Sequence, residues 1–221
     1  MQGLLILDKP EGRTSFDMVH FLRKLTDVRK IGHTGTLDPL ATGVMVMLIG
    51  QEYTRRAPDF AADTKEYEAT FELGLDTDTY DITGNVVQRS SHVPTPAEIT
   101  SVLLHFQGIL QQVPPMYSAK KIGGKRLYDL ARKNVTVARN PVPVEVTTKL
   151  IRYHYPRLEL ALHVSKGTYI RSIAHDMGAL LGCFATLSSL RRTRSGRFTL
   201  KESIPLDRLT ASNIEAYLCT Q

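Results

Sequence analysis

The chain has 221 residues, 42% of them hydrophobic, which is enough apolar mass for a buried core and too much for a disordered or fibrous polymer. Its 28 Lys and Arg against 22 Asp and Glu leave a formal charge of +6, a surplus that favours a polyanionic partner without identifying one. Cys183 and Cys219 form no CxxC pattern, Met1 to Asp8 is too short and too soon acidic for a signal peptide, and the longest apolar run, 44–49, is far below the ~20 residues of a membrane helix. A disulfide framework, a zinc ribbon, secretion and membrane insertion are thereby disfavoured. The chain is expected to be cytoplasmic, with free thiols.

Residues 3–7 predict a short apolar strand that stops at Asp8-Lys9-Pro10-Glu11-Gly12. Thr14-x-x-Asp17 opens a helix, with Phe16, Val19, Leu22 and Leu25 as its inner stripe. Val44 to Ile49 predicts a buried strand. Glu66 to Leu73 alternates, with Tyr67, Ala69, Phe71 and Leu73 inside and Glu66, Glu68, Thr70 and Glu72 outside. Thr95-Pro96-Ala97-Glu98 is a capping box ahead of Ile99, Val102, Leu103 and Phe106, and Val113-Pro114-Pro115 ends that element. Leu158 to Val164 alternates again. Thr168 is expected to cap a helix whose core face is Ile173, Ala174, Met177 and Leu180, stopped by Gly182. Ser212-x-x-Glu215 predicts a last short helix. Strands and scattered helices in this mixture predict an α+β fold in a single domain over 1–221, with a protruding insertion around 110–150.

The chemistry concentrates in Gly32-His33-Thr34-Gly35-Thr36-Leu37-Asp38-Pro39-Leu40-Ala41-Thr42-Gly43. The run lacks the Gly-Lys-Ser/Thr ending of a phosphate-binding loop, so a nucleotide-binding reading is poor. His33 and Asp38 alone cannot build a metal site. From spacing alone the stronger reading is a turn between a helix and a strand, with Asp38-Pro39 as turn formers.

This run nevertheless closely resembles the catalytic motif of the bacterial TruB family of tRNA pseudouridine synthases. Further blocks resemble that family in the same order. They are Leu7-Asp8-Lys9-Pro10-Glu11-Gly12; Lys65-Glu66-Tyr67 with Leu73-Gly74-x-x-Thr77-Asp78-Thr79, Asp81 and Gly84; Pro115-Met116-Tyr117-Ser118-Ala119-Lys120-Lys121 with Gly124 and Leu127-Tyr128-x-x-Ala131-Arg132; Ser165-Lys166-Gly167-Thr168-Tyr169-Ile170-Arg171; and Leu190-Arg191-Arg192-Thr193. The resemblance implies a pseudouridine synthase fold: a mixed, mostly antiparallel central sheet flanked by helices, with a thumb-like insertion. Family members usually continue into a C-terminal PUA domain. This chain stops at Gln221, and it is expected to lack that domain.

The resemblance implies isomerisation of uridine 55 in the T loop of tRNA, with no cofactor and no metal. It makes Asp38 the catalytic carboxylate, acting as nucleophile or base on a flipped-out base. It pairs Arg171 with Asp38, so that the carboxylate is held ionised and aimed. It places Tyr67 against the uracil, with Tyr169 and Leu190 completing the pocket, His33 at the displaced nucleotide, and Lys9 with Pro10 behind the wall. Periodicity alone makes Tyr67 and Leu190 core, and an exposed turn His or helix Arg needs no function. Lys120, Lys121, Lys125 and Arg126 form one basic cluster; Arg191 and Arg192, with Arg194 and Arg197, form another. Both flank family motifs and fit phosphate contacts to the tRNA T arm. A monomer is expected. The competing reading is a non-catalytic tRNA-binding or tRNA-folding module on the same scaffold.

Overall fold

The structure, a computed structural model, describes residues 1–118, 120–133 and 135–219; the side chains of Lys125 and Arg126 lie outside the described residues. In chain order the elements are β1 (Gly3–Lys9), α1 (Ser15–Thr26), β2 (Ile31–His33), β3 (Ala41–Ile49), α2 (Gln51–Arg55), β4 (Thr64–Leu73), β5 (Leu75–Thr77), β6 (Val86–Arg89), α3 (Pro96–Leu103), β7 (Gly108–Gln112), β8 (Lys121–Ile122), β9 (Lys125–Arg126), α4 (Leu127–Ala131), β10 (Val142–His154), β11 (Arg157–Ser165), α5 (Ile170–Leu180), β12 (Ala185–Ser195), β13 (Phe198–Thr199) and β14 (Ile204–Pro205). They divide into two compact units, Met1–Glu68 with Leu190–Gln221, and Ala69–Ser189. The fold is α+β on mixed sheet, as the sequence predicts.

In the first unit β14, β1, β3 and β12 are neighbours in that order. β1 runs antiparallel to β3 and parallel to β14, and β3 runs parallel to β12. β1 and β3 read as continuous apolar runs because both of their faces are covered. Leu5, Leu7, Met45 and Met47 pack with Met18, Val19 and Leu22 of α1, while Leu4, Ile6, Val44 and Val46 pack with Tyr53 of α2. α1 carries the expected capping box, Thr14 Oγ1 accepting from Asp17 N at 3.0 Å and Thr14 N donating to the Asp17 carboxylate at 2.7 Å. Phe16, expected inside, is 57% exposed; Ser15 and Met18 take the inner face with Val19 and Leu22.

In the second unit β4, β11, β10 and β7 are neighbours in that order, with β10 antiparallel to both β11 and β7. α3 packs on β10 and on α5, and these strands alternate between buried and exposed residues. Ala69, Phe71 and Leu73 of β4 are buried; in the part of β4 that belongs to the first unit, Tyr67 is buried and Glu68 exposed. α3 begins at the predicted capping box. The insertion contains the two-stranded β8–β9 hairpin, which turns at Gly123-Gly124 and leads into α4.

Two helix ends differ from expectation. Tyr169, not Thr168, is the N-cap of α5; the Thr168 hydroxyl instead donates to Ser165 O at 2.8 Å and closes the preceding turn. At the far end of α5 Leu180, expected in the core, is 55% exposed. The last element is a 3-10 turn over Ile214–Tyr217 that Ser212 does not cap. It stays short because Cys219 is drawn into backbone hydrogen bonds with Leu4 at 2.9 and 3.0 Å. Among the described residues no helix is long and apolar enough to cross a membrane.

The β4 alternation is testable by paired truncation. Phe71→Ala is expected to cost about 3–5 kcal/mol, and Glu68→Ala about 0.5 kcal/mol or less, by urea unfolding.

Candidate functional site

The glycine-rich run ends β2, crosses an irregular segment over 34–40 and begins β3, and it is held from below by two cations with no exposed surface, Lys9 and Arg192. Lys9 Nζ donates to three main-chain carbonyls: Pro10 at 2.9 Å, Pro39 at 3.2 Å and Ala41 at 2.6 Å. Arg192 Nε donates to Val44 O at 2.6 Å, and its Nη2 to Gly35 O at 3.2 Å. Ser15 Oγ adds a reciprocal pair with Leu37, both at 2.9 Å. Gly12 N donates to Pro39 O, and Ala41 N to Asp38 O. The irregular stretch has no ladder to satisfy its carbonyls at Gly35 and Pro39, so charged side chains take that role there, and they also bond Pro10 O and, in β3, Ala41 O and Val44 O.

Asp38 sits half-buried on this frame. Burial pushes the Lys9 ammonium down from 10.5 to about 8, and the nearby Asp38 charge opposes that fall. His33, half-buried beside the loop, is held below its ordinary range by burial and by the Arg192 charge, and its Nδ1 makes no hydrogen bond among the described residues. Gly43 fixes the join to β12. Its φ is +102°, and a Cβ there would lie 2.2 Å from Arg192 O, so only glycine lets β3 approach this closely. The register brings Leu190 opposite Ala41, and Arg191 opposite Thr42. Tyr67 and Leu190 are buried, at 7% and 6% exposure.

In the second unit Gln112 clamps the backbone of Tyr169, accepting from its N at 2.8 Å and donating to its O at 3.1 Å. Two residues later Arg171 lies in the first turn of α5 with 5% of its surface exposed. Its Nη1 donates to Thr79 O at 3.0 Å and its Nη2 to Tyr117 O at 2.7 Å, while Nε lies 3.8 Å from Asp81 Oδ2. A cation at a helix N-terminus opposes the helix dipole. Within this unit the buried Asp81 carboxylate faces it. Asp81 is itself set by Thr79 Oγ1 at 3.0 Å, Thr83 N at 3.0 Å and Thr83 Oγ1 at 2.5 Å.

The site residues expected from sequence thus fall in two groups: Lys9, His33, Asp38, Tyr67 and Leu190 in the first unit, Tyr169 and Arg171 in the second. The basic clusters are less uniform than their spacing suggests. Arg192 is corrected outright as a phosphate contact, because a fully buried guanidinium bonded to loop carbonyls cannot reach RNA. Arg191 is half-buried and binds Asp8 through two nitrogens, at 2.7 and 3.2 Å. Arg194 pairs with Glu66 at 3.3 Å, and Arg197 lies over the Phe198 ring at 4.8 Å. Lys121 is exposed and Lys120 half-buried. The expected contacts at Lys125 and Arg126 lie outside the described residues. Sequence reasoning assigned no role to Ser15, Gln112 or Asp81. Asp81 was visible as a motif residue; Ser15 and Gln112 carry no spacing signal at all.

The Lys9 shift has a sign that can be checked. A lysine whose folded pKa lies below its unfolded value contributes stability that grows as pH rises from about 8 towards 10.5, because only the unfolded chain then binds the proton. Between those limits the wild type is expected to gain on the order of 1–3 kcal/mol relative to Lys9→Met. In Asp38→Asn, which removes the opposing charge, the onset moves to lower pH. Urea titrations across this range measure both.

Residues 23–170 match the family described as "TruB family pseudouridylate synthase (N terminal domain)", and residues 171–219 match "tRNA pseudouridylate synthase B C-terminal domain". The chain is 53% identical over 203 residues to tRNA pseudouridine synthase B of Chlamydia pneumoniae, covering 92% of this chain and 86% of that protein. It is 50% identical over 217 residues to the tRNA pseudouridine synthase B of Chlamydia muridarum (strain MoPn / Nigg), covering 98% and 90%. Among solved structures it resembles the one described as "Crystal Structure of a Cbf5-Nop10-Gar1 Complex", with a TM-score of 0.75 and 29% identity over 97% of this chain and 55% of that one. With two thirds of its length matched by the synthase N-terminal family and half of its residues shared with tRNA pseudouridine synthases B, the chain belongs to the TruB family of pseudouridylate synthases.

Proposed function

We propose that this chain converts uridine 55 in the T loop of tRNA to pseudouridine, with Asp38 as the catalytic carboxylate. The observation that carries this reading is the frame around Asp38. Lys9, Arg192 and Ser15 fix the backbone on both sides of one half-buried acid, in a segment that is neither helix nor strand. A turn that merely joined β2 to β3 would not need two buried cations, each of which carries a desolvation cost.

The reaction breaks the N1–C1′ bond of uridine, turns the ring, and joins C5 to C1′. C5 gives up a proton and N1 gains one, so no atom enters or leaves overall. A carboxylate suits attack at carbon and removal of a proton. Arg171 is the cation we assign to it, and Tyr67, Tyr169 and Leu190 are assigned to the uracil. Stacking of a turned-out base on a tyrosine ring contributes about 1–3 kcal/mol, which offsets part of the cost of unstacking it. His33, with its shift towards the neutral form, is assigned to the space the base vacates. Lys120, Lys121 and Arg191 are the basic residues assigned to T-arm phosphates. The chain is expected to act as a monomer in the cytoplasm.

The test is incubation with an unmodified tRNA transcript, followed by mapping of pseudouridine at position 55. The wild type is expected to form it, and Asp38→Asn to form none while still binding tRNA. A wild type that binds tRNA and leaves uridine intact would sink the enzymatic reading. An active Asp38→Asn would sink the assignment of the carboxylate. Binding itself is expected to weaken by about tenfold or more between about 50 and about 200 mM salt, as phosphate contacts release counterions. A flat salt response in filter binding removes the basic residues from the interface.

A further inference from the structure

Helix α5 carries Arg171 and His175 four residues apart, and so on one face. Both reach one stretch of chain, β5 and the turn that follows it. Arg171 takes its far end through Thr79 O and the Asp81 carboxylate. His175 takes its near end: Nδ1 lies 3.1 Å from Asp76 Oδ1, and the imidazole stacks on the Tyr80 ring with centroids 3.9 Å apart and planes 19° from parallel. Tyr80 therefore stands between the two residues whose oxygens face the Arg171 guanidinium.

The backbone at Tyr80 is left-handed, φ +63°. A bulky side chain rarely adopts that conformation, and a turn that needed only its backbone shape would be served better by Gly or Asn. The tyrosine in this place aims a ring at His175. Main-chain bonds already fix one edge of the turn, Leu187 N donating to Tyr80 O at 3.0 Å and Ile82 N to Leu187 O at 2.8 Å. The edge towards α5 is held by side chains. Asp76 has 4% of its surface exposed, and a carboxylate that deep requires a polar partner, here His175. The family block read in the sequence, Leu73-Gly74-x-x-Thr77-Asp78-Thr79 with Asp81, leaves positions 76 and 80 open, and the block around Arg171 stops before 175.

We infer that Asp76, Tyr80 and His175 form a clamp between α5 and the Thr79–Asp81 turn, and that this clamp positions the Arg171 guanidinium for pseudouridine formation. The three are positioning residues: they act through Arg171 and do not touch the reacting atoms. The inference rests on the reading above that Arg171 serves the reaction. Loosening the clamp lets Thr79 O and Asp81 move away from Arg171, which slows the chemical step and leaves tRNA affinity in place.

The test uses the full chain and an unmodified tRNA transcript, with single-turnover rate, tRNA dissociation constant and melting temperature measured side by side. Tyr80→Gly removes the ring while suiting the left-handed backbone, so folding is preserved. Tyr80→Phe keeps the ring. His175→Asn keeps a donor near Asp76 and loses the stack. Tyr80→Gly is expected to slow the single-turnover rate by about tenfold with affinity within about twofold of wild type, Tyr80→Phe to match wild type, and His175→Asn to fall between. The clamp is overturned if Tyr80→Gly reacts at the wild-type rate, if Tyr80→Phe loses as much as Tyr80→Gly, or if the loss lies in affinity alone. Should Tyr80→Gly melt below the assay temperature, His175→Asn carries the same readings. Arg171→Lys in the same assay separates the two levels. If it is fully active, the reading of Arg171 fails; if it is slow and the clamp variants are not, only the clamp fails.

Discussion

Two fully buried cations, Lys9 and Arg192, determine where the acid of the glycine-rich loop stands. The chain leaves regular structure over 34–40, around Asp38, and carbonyls in and beside that segment face the interior. Lys9 takes those of Pro10, Pro39 and Ala41, and Arg192 takes those of Gly35 and Val44. A charged donor makes a stronger bond to a carbonyl than a neutral one, so the loop is held more firmly than turn residues alone would hold it. Burying each cation is unfavourable, and for Lys9 that burial pushes the ammonium pKa down to about 8. The neighbouring Asp38 charge lowers that penalty. The acid is thus also part of the electrostatic balance that makes its own support tolerable.

The second unit meets the same problem at the first turn of α5. Arg171 points its charge against the helix dipole, and its environment answers with Thr79 O, Tyr117 O and the Asp81 carboxylate. Asp81 is in turn fixed by the hydroxyls of Thr79 and Thr83 and by a main-chain amide. Arg171 and Asp81 are both buried, which makes each intolerant of losing the other. In the second unit Arg171 is aimed by main-chain oxygens, and in the first the backbone that carries Asp38 is held by buried cations.

Sheet packing explains why the two units read so differently along the chain. β1 and β3 are covered on both faces and appear as unbroken apolar runs, while β4, β10 and β11 are covered on one face and alternate. The close approach of β3 to β12 at Gly43 belongs to the same economy of space. The parallel pairing of Arg192 with Gly43 leaves no room for a Cβ, and it delivers the Arg192 side chain under the loop.

Periodicity and capping made much of this legible beforehand. The faces of β4, the capping boxes at Thr14 and Thr95, the buried runs of β1 and β3 and the helix ending at Gly182 all follow from local chemistry, since each depends on residues within a few positions of one another. The family blocks identified the reaction and nominated Asp38, Tyr67 and Arg171. What the sequence could not decide was which side a side chain turns to when several surfaces compete for it. Arg192 reads as one of a basic run beside a motif, and tertiary packing made it an internal support. Thr168 reads as a helix cap, yet its hydroxyl closes a turn and Gln112, 57 residues away, fixes the cap at Tyr169. Tyr80 and His175, 95 positions apart, meet only because α5 folds over that turn. The sequence by itself determined most of the elements and the family, and it nominated the acid. The tertiary structure alone decided which charges are buried and what they hold, because a cation's role depends on which distant carbonyls the fold brings within hydrogen-bonding distance.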